Sequence, residues 1–262
     1  MRPEGDRVKR GSVTATASPE FAYRDKKLGD EGVIAVATSP EVFYPTSTTV
    51  LLLRAARRAL AAAPPPRSVL DIGCGCGIVA IVLARRGPPG VRVCASDLSA
   101  AAVALARRNA ERHGVSLECR RGSLFQPWVG ERFDLIVDDV SGVAEPLARA
   151  SGWYPDAVPS EAGRDGTRWI LEVLDRAPDY LAPGGKLVFP VLTLSREAPV
   201  LERARARFAA VEQLEEQWYP LSPELAARRA ELEALAAEGA IRLERRGSRW
   251  WWATRVFTAY RP

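Results

Sequence analysis

Nine consecutive residues constrain this chain more than any others: Val69-Leu70-Asp71-Ile72-Gly73-Cys74-Gly75-Cys76-Gly77. An apolar strand pattern, Ser68–Ile72, runs into three glycines at alternate positions, and a helical pattern, Ile78–Arg86, leaves them. Glycines there let the backbone turn sharply and come close to a ligand. A strand, a glycine turn and a helix in that order open a parallel βα unit, whose ligand sits beyond the carboxyl ends of the strands. A second signal follows at the next strand end. Asp97 stands 20 residues after Gly77, and an acid at that spacing hydrogen-bonds ribose hydroxyls.

The rest of the chain repeats the alternation. Strand patterns are predicted at Val91–Ser96, Leu117–Arg120, Phe133–Asp138 and Lys186–Leu192, and helices at Val50–Leu60, Ser99–His113 and Gly166–Tyr180. Continuous apolar strands alternating with helices imply a parallel sheet covered on both faces. The last stretch predicts a helix at Arg196–Ala210, a strand at Val211–Trp218, a helix at Ser222–Glu238 and a final strand at Trp250–Tyr260. The expected organisation is an N-terminal extension over 1–41, loose or lid-like. One ligand-binding domain then covers 42–262, with a helical insertion near 220–240.

Composition narrows the function classes. The chain has 262 residues, 47% hydrophobic and 26% charged, ordinary for a globular protein. No apolar run approaches the ~18–20 residues of a membrane helix, and the polar start does not resemble a secretory signal. A cytoplasmic protein is expected, without membrane association. The net charge of +5 is spread thinly, since residues 67–199 carry 16 basic and 16 acidic side chains. Nucleic-acid binders normally concentrate their basic residues, so no nucleic-acid partner is expected. Cys74 and Cys76 lie in the glycine loop, and His113 is the only histidine. That set does not match a structural zinc site, so neither a metal nor a disulfide is expected. His113, before Gly114 at a helix end, reads as structural.

The loop reads D-x-G-x-G-x-G, not the G-x-G-x-x-G of dinucleotide enzymes. In this it resembles the first motif of class I S-adenosylmethionine-dependent methyltransferases. Asp97-Leu98-Ser99 resembles their second motif, and Gly122-Ser123-Leu124-Phe125 their third, with Ser123 where Asp is usual. The resemblance implies a doubly wound, mostly parallel seven-stranded sheet and S-adenosylmethionine as cofactor. It implies that Asp71, Gly73, Cys74, Gly75, Gly77, Asp97, Leu98, Ser123, Leu124, Asp138 and Thr49 bind that cofactor.

A narrower resemblance covers roughly residues 42–192. VFYPTSTTVLLL, VLDIGCGCG, FDLIV, DAVPSEAGRDG and APDYLAPGGKL are similar to the protein-glutamine N5-methyltransferases of release factors. That family has Asn-Pro-Pro-Tyr after FDLIV-x, where the Asn side chain and a Pro carbonyl hold the amide that is methylated. Here Asp139, Val140, Ser141 and Gly142 stand in those places. No counterpart of the family's N-terminal substrate-recruiting domain is expected, with about 40 residues before the shared segment. Shared ancestry with lost glutamine chemistry is the expectation.

The catalytic candidates are therefore Asp138 and Asp139, adjacent acids that cannot both be buried and ionised cheaply, together with Ser141. Tyr44 is a candidate for facing the sulfonium by cation–π attraction, with Tyr23, Trp153 and Tyr154 as weaker ones. Trp250, Trp251 and Trp252 read as packing. The first expectation is methylation of a small molecule, in the manner of secondary metabolism. The alternative is closure of the cofactor's own amino-acid arm to azetidine-2-carboxylate with release of methylthioadenosine, on S-adenosylmethionine alone. A cofactor-binding protein without turnover is the reading from another class. A homodimer is left open.

Overall fold

The computed structural model describes residues 19–24, 32–154, 158 and 160–262. Most of the expected N-terminal tail lies outside these residues. The chain first forms an antiparallel hairpin, β1 (Glu20–Arg24) and β2 (Val33–Ala37). Then follow α1 (Ser47–Leu60), β3 (Ser68–Ile72), α2 (Ile78–Arg86), β4 (Arg92–Asp97), α3 (Ala100–Arg112), β5 (Glu118–Arg121) and β6 (Phe133–Asp138). The second half holds α4 (Glu145–Ala150), α5 (Arg168–Tyr180), β7 (Leu181–Leu192), α6 (Glu197–Arg207) and β8 (Ala210–Pro220). It closes with α7 (Pro223–Ala226), α8 (Arg229–Ala237), β9 (Glu244–Arg246) and β10 (Arg249–Tyr260).

The main sheet runs β5-β4-β3-β6-β7-β10-β8, with the short β9 added on β10. Pairs from β5 to β7 are parallel, and β10 is antiparallel to β7, β8 and β9. This is the doubly wound, mostly parallel sheet expected, with one extra strand. Parallel order reverses direction between β3 and β4 on one side and β6 on the other. Loops after β3 and β6 therefore splay apart at the carboxyl edge and leave a crevice.

Alternation along the central strands divides the core. Val69, Val93, Ala95, Leu135 and Val137 pack with α1, α2 and α3, while Leu70, Ile72, Cys94 and Ile136 pack with α5 and α6. Both faces are apolar because side chains on a strand point alternately to either face. A third cluster joins α4, α7 and α8 to Leu192, Leu194 and Trp252. The helix expected at Ser222–Glu238 is two helices. Ser222 caps α7 through Leu225 N–H at 3.3 Å, the chain turns at Ala227–Arg228, and Leu225, Leu232 and Leu235 all reach the third cluster.

The hairpin is anchored by α3. Asn109, 1% exposed, accepts from Ala37 N–H at 3.0 Å and donates to Ala37 O at 2.9 Å and to Cys76 O at 2.8 Å. His113 Nε2 lies 2.7 Å from Ala35 O, which gives this histidine its structural role. All four cysteines are buried and free. Among the described residues no helix is long and apolar enough to cross a membrane, and none form a cluster of three or more potential metal ligands.

Candidate functional site

The glycine loop follows β3 and folds back on β4. Gly73 N–H and Cys74 N–H both donate to Ser96 O, at 2.9 and 3.0 Å. Gly73 has φ 75°, Gly75 φ 52° and Gly77 φ 84°, conformations that favour glycine. A Cβ on Gly73 would lie 3.0 Å from Asp139 O, so the loop and the end of β6 meet across the crevice. A Cβ on Gly77 would lie 2.9 Å from the Ala106 Cβ, so Gly77 serves the packing of α2 on α3.

Asp97 closes β4 and touches the loop from the other side. Its Oδ2 accepts from Gly75 N–H at 3.0 Å and its Oδ1 from Ser99 N–H at 2.8 Å. Burial raises its carboxyl above the ordinary Asp value, while these backbone donors act against the shift. Next to it the cavity is lined by Leu98, half exposed, and by Ser123 and Leu124. Leu124 holds φ 46°, a strained conformation for a leucine, and its carbonyl accepts from Ser96 Oγ at 3.3 Å.

The opposite wall is built from β6 and α1. Asp138 is 1% exposed, and its Oδ1 accepts from Val140 N–H at 3.2 Å. Burial, with the neighbouring Asp139 adding to it, pushes its carboxyl up to about 8. Asp139 is fixed by its N–H to Ile72 O at 3.0 Å. Its Oδ2 accepts from Thr49 Oγ1 at 3.0 Å. Burial pushes this carboxyl up to about 7, against the Thr49 bond. Thr46 Oγ1 caps α1 by accepting from Thr48 N–H at 3.3 Å, and the Thr46 N–H donates to Thr49 Oγ1 at 3.3 Å. The amino end of α1 thus opens on the cavity through Thr46, Ser47 and Thr48.

Aromatic rings complete the walls. Phe43 and Tyr154 meet with ring centroids 5.1 Å apart, Trp153 packs on Trp252 at 5.4 Å, and all four line the cavity with Trp169. The Tyr154 hydroxyl bonds Ser141; burial, opposed by that bond, pushes it up to about 12. Ser141 Oγ also donates to Ser160 O at 3.4 Å.

The structure brings Gly73, Gly75, Asp97, Leu98, Ser123, Leu124, Asp138, Asp139 and Ser141 to one cavity. Other expected residues stand behind it. Asp71 is fully buried beneath the loop and accepts from Ala80 N–H at 3.1 Å, so it braces the start of α2. Burial, reinforced by the charge of Asp139, raises its carboxyl well above the ordinary value. Cys74 is 5% exposed among core side chains. Thr49 acts through Asp139 rather than on the cavity wall. Tyr44 does not face the cavity. It is 47% exposed, meets Phe21 edge-on at 5.8 Å and reaches Glu20 O at 3.5 Å. Phe43 takes the inward place because neighbours in extended chain point opposite ways. Tyr23 is a core residue, with its hydroxyl accepting from Arg57 at 3.4 Å. Trp252, expected as packing, is both packing and wall. Trp169 and Phe43 were not singled out by the sequence, and the alternation at 43–44 was the available signal for the latter.

These residues fit an adenosyl sulfonium. A glycine cradle, an acid bonded to that cradle and an apolar slot between Leu98 and Leu124 supply the parts such a molecule needs. No Lys, Arg or His is found among the described lining residues, which does not suit a polyphosphate.

Comparison with known proteins agrees. Residues 35–139 match the methyltransferase small domain family. The release factor glutamine methyltransferase of Geobacter sulfurreducens is 39% identical over 125 residues, covering 46% of this chain and 44% of the relative. That of Gloeobacter violaceus is 31% identical over 147 residues, covering 53% and 50%. The chain thus spans about half the length of the curated relatives it matches. The 16S rRNA N2 methyltransferase of T. thermophilus, solved with AdoMet and guanosine, superposes with a TM-score of 0.59 at 19% identity over 93% of this chain and 50% of that one. The E. cuniculi complex responsible for methylation of the eRF1 translation termination factor gives 0.52 at 18% identity, over 85% and 99%. Both structures bear on the fold. By motifs and sequence likeness, the chain is similar to the class I S-adenosylmethionine-dependent methyltransferases, with its sequence likeness toward the release factor glutamine branch.

Proposed function

We propose that this chain transfers the methyl group of S-adenosylmethionine to a small molecule held in the aromatic cavity, and not to a protein glutamine. The observation that carries this reading is Asp139. It stands where the glutamine branch has its amide-holding Asn, and its carboxylate is engaged by Thr49 at 3.0 Å. A carboxylate accepts hydrogen bonds but donates none while ionised, so it cannot offer a planar amide the paired donor and acceptor of an Asn. Phe43 meeting Tyr154 across the cavity favours a compact acceptor over an extended peptide. The relatives' names concern protein and RNA substrates, so neither a small acceptor nor a place in secondary metabolism comes from them.

When bound, S-adenosylmethionine supplies a methyl group on a sulfonium, an electrophile open to in-line attack. Asp97 would hold its ribose hydroxyls, Leu98 and Leu124 would flank the adenine, and Ser123 would accept from the adenine amine. The amino end of α1 favours a carboxylate, which suits the cofactor's amino-acid arm. Asp139 is placed to accept a proton from the acceptor, since a carboxyl titrating near neutrality is matched to that task. Ser141 and Tyr154 offer hydroxyls at the same wall, and the rings exclude water. Positioning supplies most of the acceleration in such displacements.

The test is product analysis by mass spectrometry. The protein is incubated with S-adenosylmethionine alone, with a release factor and with a panel of small acceptors. S-adenosylhomocysteine formed only with a small acceptor is expected. Methylthioadenosine released from S-adenosylmethionine alone would replace the proposal with ring closure. Turnover on the release factor would restore the glutamine reading.

A further inference from the structure

The charges of the cavity run against those of the molecule. The chain carries 37 basic and 32 acidic residues. Yet the described residues lining the cavity include Glu41, Asp97, Asp138 and Asp139, and no basic side chain. Asp97 is engaged by the glycine loop. Asp138 and Asp139 are adjacent in sequence and each accepts one hydrogen bond, from Val140 N–H and from Thr49 Oγ1. Among the described residues no donor meets their other oxygens. Both acids line this wall, and a carboxylate in a low-dielectric wall is costly without a cation. The rings of Phe43, Trp153, Tyr154 and Trp252 line the same space, and aromatic faces attract cations and flat groups.

We propose that the acceptor is an amine, entering as its ammonium cation and carrying a flat apolar group, with Asp139 as the residue that takes its proton. This deepens the methyltransferase reading above and rests on it. A carboxylate acceptor would be repelled by Asp139 once ionised. An alcohol would leave that charge unneutralised. An ammonium would neutralise it while its apolar body lies among the rings. In the reaction one N–H proton passes to a carboxylate oxygen of Asp139 and frees the nitrogen lone pair. The nitrogen forms its bond to the methyl carbon as the carbon–sulfur bond breaks, with that electron pair remaining on sulfur. The products are the methylated ammonium ion and S-adenosylhomocysteine, and Asp139 then gives its proton to water.

The test is binding, not turnover. The protein is saturated with S-adenosylhomocysteine and titrated calorimetrically with matched probes. Tryptamine is compared with tryptophol and indole-3-propionate, and phenethylamine with phenethyl alcohol and hydrocinnamate. In at least one set the amine should bind about tenfold or more tightly than its alcohol and its acid, a difference of about 1.4 kcal/mol. The Asp139→Asn variant should lose most of that preference while still binding S-adenosylhomocysteine. If both amines bind no better than their alcohols, or do not bind, the proposal is overturned. Failure of the wild-type protein to bind S-adenosylhomocysteine would instead overturn the cofactor reading beneath it.

Discussion

Asp138 offers a direct measure of what the site costs the fold. Its carboxyl is 1% exposed and is pushed up to about 8, first by burial and then by Asp139. In the unfolded chain an Asp releases its proton near 3.9. Between those values the folded protein holds a proton that the unfolded chain has lost. The stability from this group is therefore complete below about pH 4 and is lost as pH rises through 8. Each pH unit of that interval corresponds to about 1.4 kcal/mol, so the full span sets a ceiling of about 5–6 kcal/mol. Relaxation around the pair, and the charge it shares with Asp139, reduce the expected penalty to roughly 2–3 kcal/mol. Asp138→Asn keeps the shape and still accepts the Val140 N–H, but has no charge to bury. At pH 8.5 the ligand-free variant should melt about 5–10 °C above the wild type, taking about 2–4 °C per kcal/mol for a chain of this size. At pH 5 the gain should fall to about a quarter of that. Thermal unfolding followed by circular dichroism at both values provides the assay. A variant that is destabilised at both pH values, or stabilised equally at both, would refute the reasoning.

Three further substitutions test the framework around the cavity. Gly73→Ala places a Cβ 3.0 Å from Asp139 O in a left-handed conformation, which should cost about 2–4 kcal/mol from backbone strain and overpacking; denaturant unfolding reads this. Asp97→Ala removes the acid assigned to the ribose and the bonds to Gly75 and Ser99, so S-adenosylhomocysteine affinity should fall more than about tenfold by calorimetry, roughly the worth of one charged hydrogen bond. Undiminished binding would remove that assignment. Asn109→Ala leaves Ala37 and Cys76 without their side-chain partner and should cost about 2–4 kcal/mol, with faster amide exchange in β2.

The alternating architecture was legible because buried parallel strands are written as continuous apolar runs, as in Ser68–Ile72 and Phe133–Asp138. The positions of the glycine loop and Asp97 were legible because they are set locally, by turn geometry and a fixed spacing. The hairpin was not. Its first strand, EFAYR, mixes polar and apolar residues, and its second, Val33–Ala37, is held by Asn109 and His113 through contacts more than 70 residues away in sequence. The cavity walls were equally hidden. Phe43, Trp153, Trp169 and Trp252 come from four separate segments, and only the fold brings them together. The choice of Tyr44 over Phe43 failed on a single step of parity. Asp71 and Cys74 lie behind the cavity wall rather than on it, because a motif says which residues recur together, not which of them face a cavity.

Asn109 binds Cys76 O with one amide hydrogen and Ala37 O with the other. One side chain therefore rivets the turn that would seat the cofactor to the strand leading into residues 38–46, among which Phe43 lines the cavity. A single amide thus ties the small N-terminal sheet to the glycine turn, so that losing this one side chain would release both at once.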